Sequence, residues 1–224
     1  MKGNAMITYE DIKKNEAIGA YIRAADESLI ALGYTEHSFA HVGKVASDAA
    51  KILSLLGYSE REVELARIAG YMHDIGNLVN REEHSQSGAV MAFRILDKMG
   101  MDPTEIAAVV TAIGNHDEGT GVPVSPLAAA LILADKSDVR RTRVRNSDPS
   151  SFDIHDRVNY SVKLSELTVD RDARAVSLTI RIDTAISSVM DYFEIFLGRM
   201  ILCRKAAEKL GLSFRLIIND QQLF

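Results

Sequence analysis

Apolar residues recur at three- and four-residue intervals over the first 145 residues and at two-residue intervals in much of the remaining chain. That change of period restricts the fold to a helical body followed by a smaller unit with strands. Thr8 precedes a run with Ile12, Ile18, Tyr21, Ile22, Leu29 and Ile30 that reads as one long helix stopped at Gly33. A second helix from near Thr35 carries His41, Val45, Ala49, Ile52, Leu53 and Leu56 on one stripe and ends at Gly57. Ser59-Glu-Arg-Glu62 has the capping-box form, so a third helix runs from Ser59 towards His73, with Gly76 ending it. His84 lies in the first turn of a fourth, with Gly88, Met91, Ile95 and Met99 following. Asp102-Pro103 and Ser125-Pro126 each place a capping side chain before a first-turn proline, giving a fifth helix that ends near Gly114 and a sixth that leads to Asp135.

From about Arg140 to Asp156 the sequence turns polar. Val176 to Ile182 then alternates apolar and polar residues, with Val162 to Val169 as its hairpin partner and Asp170 to Asp172 as the turn. The partner's alternation slips near Ser165-Glu166, as at a bulge. Asp183 or Thr184 caps a helix with Ile186, Val189, Met190, Phe193, Phe196, Leu197, Met200 and Ile201 on one face, and Phe214, Leu216 and Ile218 alternate once more. The expected fold is mostly α: a helical bundle over 1–145, a connector over 146–157, and a β-β-α-β unit over 158–224 whose sheet the helix covers.

With 224 residues, 47% apolar and 25% charged, the chain buries roughly 70% of its unfolded surface without a staple. A formal charge of −5 gives no general attraction to nucleic acid or anionic membrane. One cysteine, Cys203, forms no internal disulfide, the N-terminus lacks the apolar core of a secretion signal, and a cytoplasmic address is the default. The longest apolar run, Leu127 to Ala134, falls short of the ~20 residues a membrane helix needs.

His73-Asp74 follows the third helix and is flanked by Tyr71, Met72 and Ile75, so it is expected to be buried. A buried carboxylate is costly unless hydrogen-bonded, paired or bound to metal. Taken alone, the pair is better explained as a capping aspartate beside a core histidine. Three further histidines change that balance. His41, His84 and His116 fall at or near the ends or inward faces of successive helices, and Asp135 occupies a comparable place. Imidazoles and carboxylates together suit Zn, Fe, Mn or similar divalent ions, and helical bundles build such sites from facing helices. The absence of thiols among them speaks against a structural zinc.

His41-Val-Gly-Lys-Val-Ala46, Met72-His-Asp-Ile-Gly76 and Leu133-Ala-Asp-Lys-Ser-Asp138, in that order, resemble the motifs of the HD superfamily of metal-dependent phosphohydrolases, over roughly residues 35–140. By that resemblance His41, His73, Asp74 and Asp135 hold one divalent ion. His84 and His116 match the extra histidines of the dinuclear branches and hold a second, with Asp74 bridging. Outside the resemblance, His84 reads as a surface residue and His116 as a capping one. Whether the metal is Fe, Mn, Zn, Mg, Co or Ni, and whether one ion or two, is not set by these residues. His37, one turn before His41, suits a supporting hydrogen bond or a cap, and His155 a surface position.

Divalent ions neutralise phosphate oxygens and acidify water, and a pair about 3.5–4 Å apart suits in-line displacement. The expected catalytic residues are Asp74, as the bridge, and Lys136 and Arg140, as cations for phosphate. Arg141, Arg143, Arg145 and Lys44 are weaker candidates of that kind. The resemblance implies a phosphohydrolase acting on a small phosphorylated substrate, most readily a nucleotide, with symmetrical diadenosine tetraphosphate and nucleoside monophosphates as the nearest substrates. Cyclic-dinucleotide cleavage is disfavoured because Asp117 stands where that branch has a second histidine and no Gly-Tyr-Pro comes after it. A non-catalytic metal- or nucleotide-binding regulatory module is the alternative from another class. The C-terminal unit completes the fold, mediates a homodimer or covers the active site, and the sequence does not choose among these.

Overall fold

The computed structural model describes residues 6–223. Among them nine α-helices precede or flank one four-stranded sheet. The bundle consists of α1 (Tyr9–Lys14), α2 (Glu16–Ala31), α3 (Phe39–Leu55), α4 (Glu60–Met72), α5 (His84–Met99), α6 (Pro103–Gly114) and α7 (Pro126–Lys136). Helix α7 is its axis: every residue from Leu127 to Lys136 is buried, and it packs against α3, α4, α6 and α9 (Val189–Lys209). A short run too apolar for a surface helix thus becomes the centre of the core. The expected single N-terminal helix is two, because Asn15 adopts an extended conformation and its side chain accepts from the amides of Ala17 and Ile18, capping α2. The second helix starts later than expected, at Phe39 behind the cap Ser38, which leaves 32–37 as a loop.

The polar stretch after α7 contains a helix that the periodicity hides, α8 (Ile154–Ser161), capped by Asp153. In the C-terminal unit, β1 (Val162–Asp170) pairs antiparallel with β2 (Ala175–Ile182), β2 runs parallel to β3 (Ser213–Ile218), and a short β4 (Gln221–Gln222) returns antiparallel to β3. The sheet order is β1-β2-β3-β4. The register irregularity lies between Val162 and Leu164, not at Ser165-Glu166, where β1 pairs regularly with Ile180 and Thr179.

Helix α9 forms the β2–β3 crossover and packs on the sheet. Its cap is Ser188, in a reciprocal capping box with Asp191, because residues 184–186 are taken up by a turn whose amides at Ile186 and Ser187 bond to the Asp183 carbonyl. Its buried stripe runs through Tyr192, Phe196, Met200, Cys203 and Ala207, while Met190, Leu197 and Ile201 are exposed. The helix is apolar on two sides, and Ala206 and Ala207 lie buried with the inward one. One hydrophobic core runs from α2 through α7 to β2 and β3.

Candidate metal centre

Close backbone contact sets the position of His73-Asp74. A Cβ on Gly70 would lie 2.6 Å from the Ala46 Cα, so this glycine lets α4 lie against α3, next to His41 in the first turn of α3. After α4 the chain enters a 3-10 turn at Ile75–Leu78. A Cβ on Gly76 would lie 2.0 Å from the His84 carbonyl oxygen and 2.4 Å from the Gly88 nitrogen, so only glycine lets this turn seat against the start of α5, which carries His84. Asn77 donates to both the carbonyl (2.9 Å) and the carboxylate (3.1 Å) of Asp74. His116 follows the end of α6, and Asp135 lies one residue before the end of α7.

The structure brings His41, His73, Asp74, His84, His116 and Asp135 into one buried cluster. Asp74 stands at its middle. Its Oδ2 lies 3.4 Å from His41 Nε2 and 3.2 Å from His73 Nε2, whereas its Oδ1 faces His84 Nε2 at 3.5 Å and His116 Nε2 at 4.0 Å. Asp135 Oδ1 closes the first side, 3.3 Å from His41 Nε2 and 3.6 Å from His73 Nε2. His84 and His116 present their Nε2 atoms to each other at 3.2 Å.

The far side of each ring decides what the near side offers. Nδ1 of His73, His84 and His116 faces the carbonyl of Gly70, Arg81 and Ile113, at 2.8, 3.1 and 2.6 Å, and Nδ1 of His41 faces Asp138 Oδ2 at 2.7 Å. Those partners only accept, so each Nδ1 carries a proton and each ring turns its Nε2 into the cluster, where the neutral form offers a lone pair. Four Nε2 atoms thus converge beside two carboxylates. His41 Nε2, His73 Nε2 and Asp74 Oδ2 are buried without any hydrogen-bond partner, an arrangement that costs stability unless a cation fills it.

The spacing fits a metal. Ligand bonds of about 2.0–2.2 Å place neighbouring atoms of a tetrahedral or octahedral shell roughly 3.0–3.5 Å apart, and most of the contacts above lie in or near that range. His41, His73, Asp74 and Asp135 could hold one ion, and Asp74, His84 and His116 another. Electrostatics agree. In the metal-free site burial works against protonation of His73, but Asp74 and Asp135 outweigh it and raise its pKa to about 10, so Nε2 carries a proton there that a bound ion would displace. Burial, together with the positive charge of His73 and Lys136, keeps His116 well below its ordinary value, so it stays neutral and able to ligate.

A cavity of about 420 Å³ opens onto the cluster. Five carboxylates (Asp74, Glu118, Asp135, Asp153, Asp156) and four permanent cations (Arg81, Lys136, Arg143, Arg199) line it, so without added positive charge it does not attract an anion. Lys136 is buried, 2.8 Å from Asp135 Oδ2 and 2.6 Å from Glu118 Oε2. Arg143 donates to the carbonyls of Glu36 and Asp138.

Arg140 is not brought to the cavity wall. Its Nε donates to Asp138 Oδ1 at 2.7 Å, behind His41. Arg141 reaches the Tyr160 carbonyl, Arg145 pairs with Asp26, and Lys44 pairs with Asp48 at 2.5 Å. His37 lines the cavity, with Nδ1 2.6 Å from the Thr35 carbonyl, and His155 is an exposed residue at its mouth. Sequence reasoning missed Arg81, Asp138 and Arg199. Asp138 lies within the Leu133–Asp138 motif, and Arg199 interrupts an apolar helix face, which was the available signal.

Buried imidazoles and carboxylates at the ends of packed helices define the class: a helical bundle built around a cluster that could hold metal. Residues 38–140 match the family model for the HD domain, the stretch that contains the motifs around His41, His73-Asp74 and Asp135. The chain is 26% identical over 194 residues to uncharacterized protein MJ1020 of Methanocaldococcus jannaschii, covering 75% of this chain and 73% of that protein. It is also similar to the crystal structure of a predicted HD superfamily hydrolase from an uncultured Thermotogales bacterium, at 26% identity and a TM-score of 0.45, over 56% of this chain and 68% of the other. No helix among the described residues is long and apolar enough to cross a membrane.

Proposed function

We propose that this protein is a divalent-metal-dependent phosphohydrolase acting on a nucleotide or another small phosphoester. The observation that carries the reading is the convergence of four Nε2 atoms on the two oxygens of Asp74, three of these atoms being buried without a hydrogen-bond partner, at a cavity lined by four cations and five carboxylates. Bound divalent ions supply charge that neutralises phosphate oxygens and acidifies a water. The chain's own residues do the rest. His41, His73, Asp74 and Asp135 hold one ion; Asp74, His84 and His116 hold a second. Asn77 fixes the Asp74 carboxylate so that its two oxygens face different sides. Lys136 neutralises Asp135 and Glu118 and presents its ammonium to a phosphate in the cavity. Arg140 acts through Asp138 on His41.

Tyr34, a partly exposed ring on the cavity wall, offers a stacking surface, and Asp153, Asp156 and Asn159 at and within α8 offer hydrogen bonds; both features favour a nucleoside substituent. Hydrolysis of a panel of nucleoside monophosphates, dinucleoside polyphosphates, cyclic dinucleotides and generic phosphoesters, each with Mn, Fe, Zn, Mg, Co and Ni, tests the reading. Metal-dependent turnover of a nucleotide is expected, and no turnover with any ion overturns it.

A further inference from the structure

Resting on the phosphohydrolase reading, we propose that Arg199 of the C-terminal helix contacts the substrate phosphate, and that the group it takes is a phosphomonoester or a polyphosphate and not an isolated phosphodiester. Helix α9 lies outside the segment matched by the HD domain, yet it delivers this side chain to the same cavity that Asp74, Asp135 and Lys136 line. The stripe through Phe196 and Met200 is buried against the core, and Arg199 stands at its edge, so its stem runs along apolar surface while its head reaches the cavity. The head is aimed. Nε donates to Glu118 Oε1 at 3.0 Å and the guanidinium lies 4.5 Å from the centre of the Phe196 ring. Neither Nη makes a hydrogen bond to any described residue.

The other cations are less available. Arg143 is committed to two backbone carbonyls and Lys136 is held between two carboxylates. Arg81 has donors to spare, but its Nη1 lies 3.5 Å from His84 Nε2, a lone pair that an ion would claim, so metal binding repels it. Arg199 therefore offers the fork that matches a phosphate edge. A diester has two non-bridging oxygens, which divalent ions held by the cluster would neutralise. A monoester has a third, and a polyphosphate has a second phosphate, so these offer Arg199 charge that a diester lacks.

The test uses metal-loaded full-length protein as wild type, Arg199→Gln and Arg199→Lys. Three quantities are read: metal content, affinity for inorganic phosphate by calorimetry, and the kcat/KM ratio of p-nitrophenyl phosphate to bis(p-nitrophenyl) phosphate. Arg199→Gln is expected to keep its metal, to bind phosphate about tenfold or more weakly, and to lower the monoester-to-diester ratio through KM. Arg199→Lys keeps the charge beside Glu118 but loses the fork, and falls between the two. Phosphate affinity unchanged in Arg199→Gln, or equal loss of both esters together with lost metal, overturns the proposal and leaves Arg199 as a brace for Glu118. If Arg199→Gln does not fold, wild-type phosphate affinity in Arg199→Lys overturns it. Weakened phosphate binding alongside a wild type that hydrolyses nothing overturns the hydrolase reading alone.

Discussion

At the scale of single residues, the aim of each imidazole is set by what holds its far nitrogen. Three histidines lean on backbone carbonyls, which no substitution removes, but His41 leans on the carboxylate of Asp138. Asp138→Ala is therefore expected to weaken metal binding by about 10–100-fold, with a smaller loss in Asp138→Asn, whose amide oxygen still accepts from Nδ1. Titration of the metal-free variants with a divalent ion checks this, and wild-type affinity in Asp138→Ala would show that the bond to His41 is incidental. His155→Ala, at the mouth of the cavity, is expected to leave metal content unchanged. The clustered histidines and aspartates were legible chiefly through the resemblance of their motifs; caps and periodicity placed them at helix ends and first turns but left His84 open to a surface reading and His116 to a capping one. Arg199 and Arg81 were not, because a long side chain reaches its place through tertiary packing, and neighbouring residues do not record it. Arg140 shows the converse: adjacency to Asp135 in sequence did not carry it to the cavity.

At the scale of elements, two glycines decide how closely the helices bearing these residues approach. Any Cβ on Gly76 meets backbone of α5, which cannot swing aside. Gly76→Ala is expected to destabilise the fold by about 1–3 kcal/mol or more and to move His84 away from Asp74, so that the second ion is lost before the first. Denaturant unfolding and metal analysis of the same sample read both effects. For α9, Ser188 accepts from the Asp191 amide at 3.0 Å in the capping box, and Ser188→Ala should cost about 0.5–2 kcal/mol in the same unfolding assay. The bundle helices were readable because Ser59, Asp102 and Ser125 announce their starts and buried stripes follow. Helix α8 was not, since eight mostly polar residues give no stripe, and the break at Asn15 was masked by a stripe that continues across it. The cap of α9 was misplaced because Asp183 and Thr184 are also capping residues, spent here on a turn.

At the scale of the whole molecule, the helical body supplies the cluster of candidate metal ligands, and α8 and α9 supply walls of the cavity onto it. Buried polar atoms without hydrogen-bond partners make the folded state a receptor for cations that the unfolded chain is not. Chelation should therefore lower the thermal midpoint, and readdition of ion at 100 times its dissociation constant should restore about 2.7 kcal/mol. Midpoints unaffected by chelator would mean that the cluster is satisfied some other way.

On the proposed reading, the two faces of Asp74 set the stoichiometry. Replacing His84 and His116 together by alanine should leave one ion per chain where the wild type holds two. The most direct test is the metal content of Asp74→Ala against wild type, purified identically and analysed per folded chain. The expected result is two equivalents in the wild type and near-complete loss in the variant, because both sides of the cluster share this carboxylate. A fully loaded Asp74→Ala protein would contradict the account.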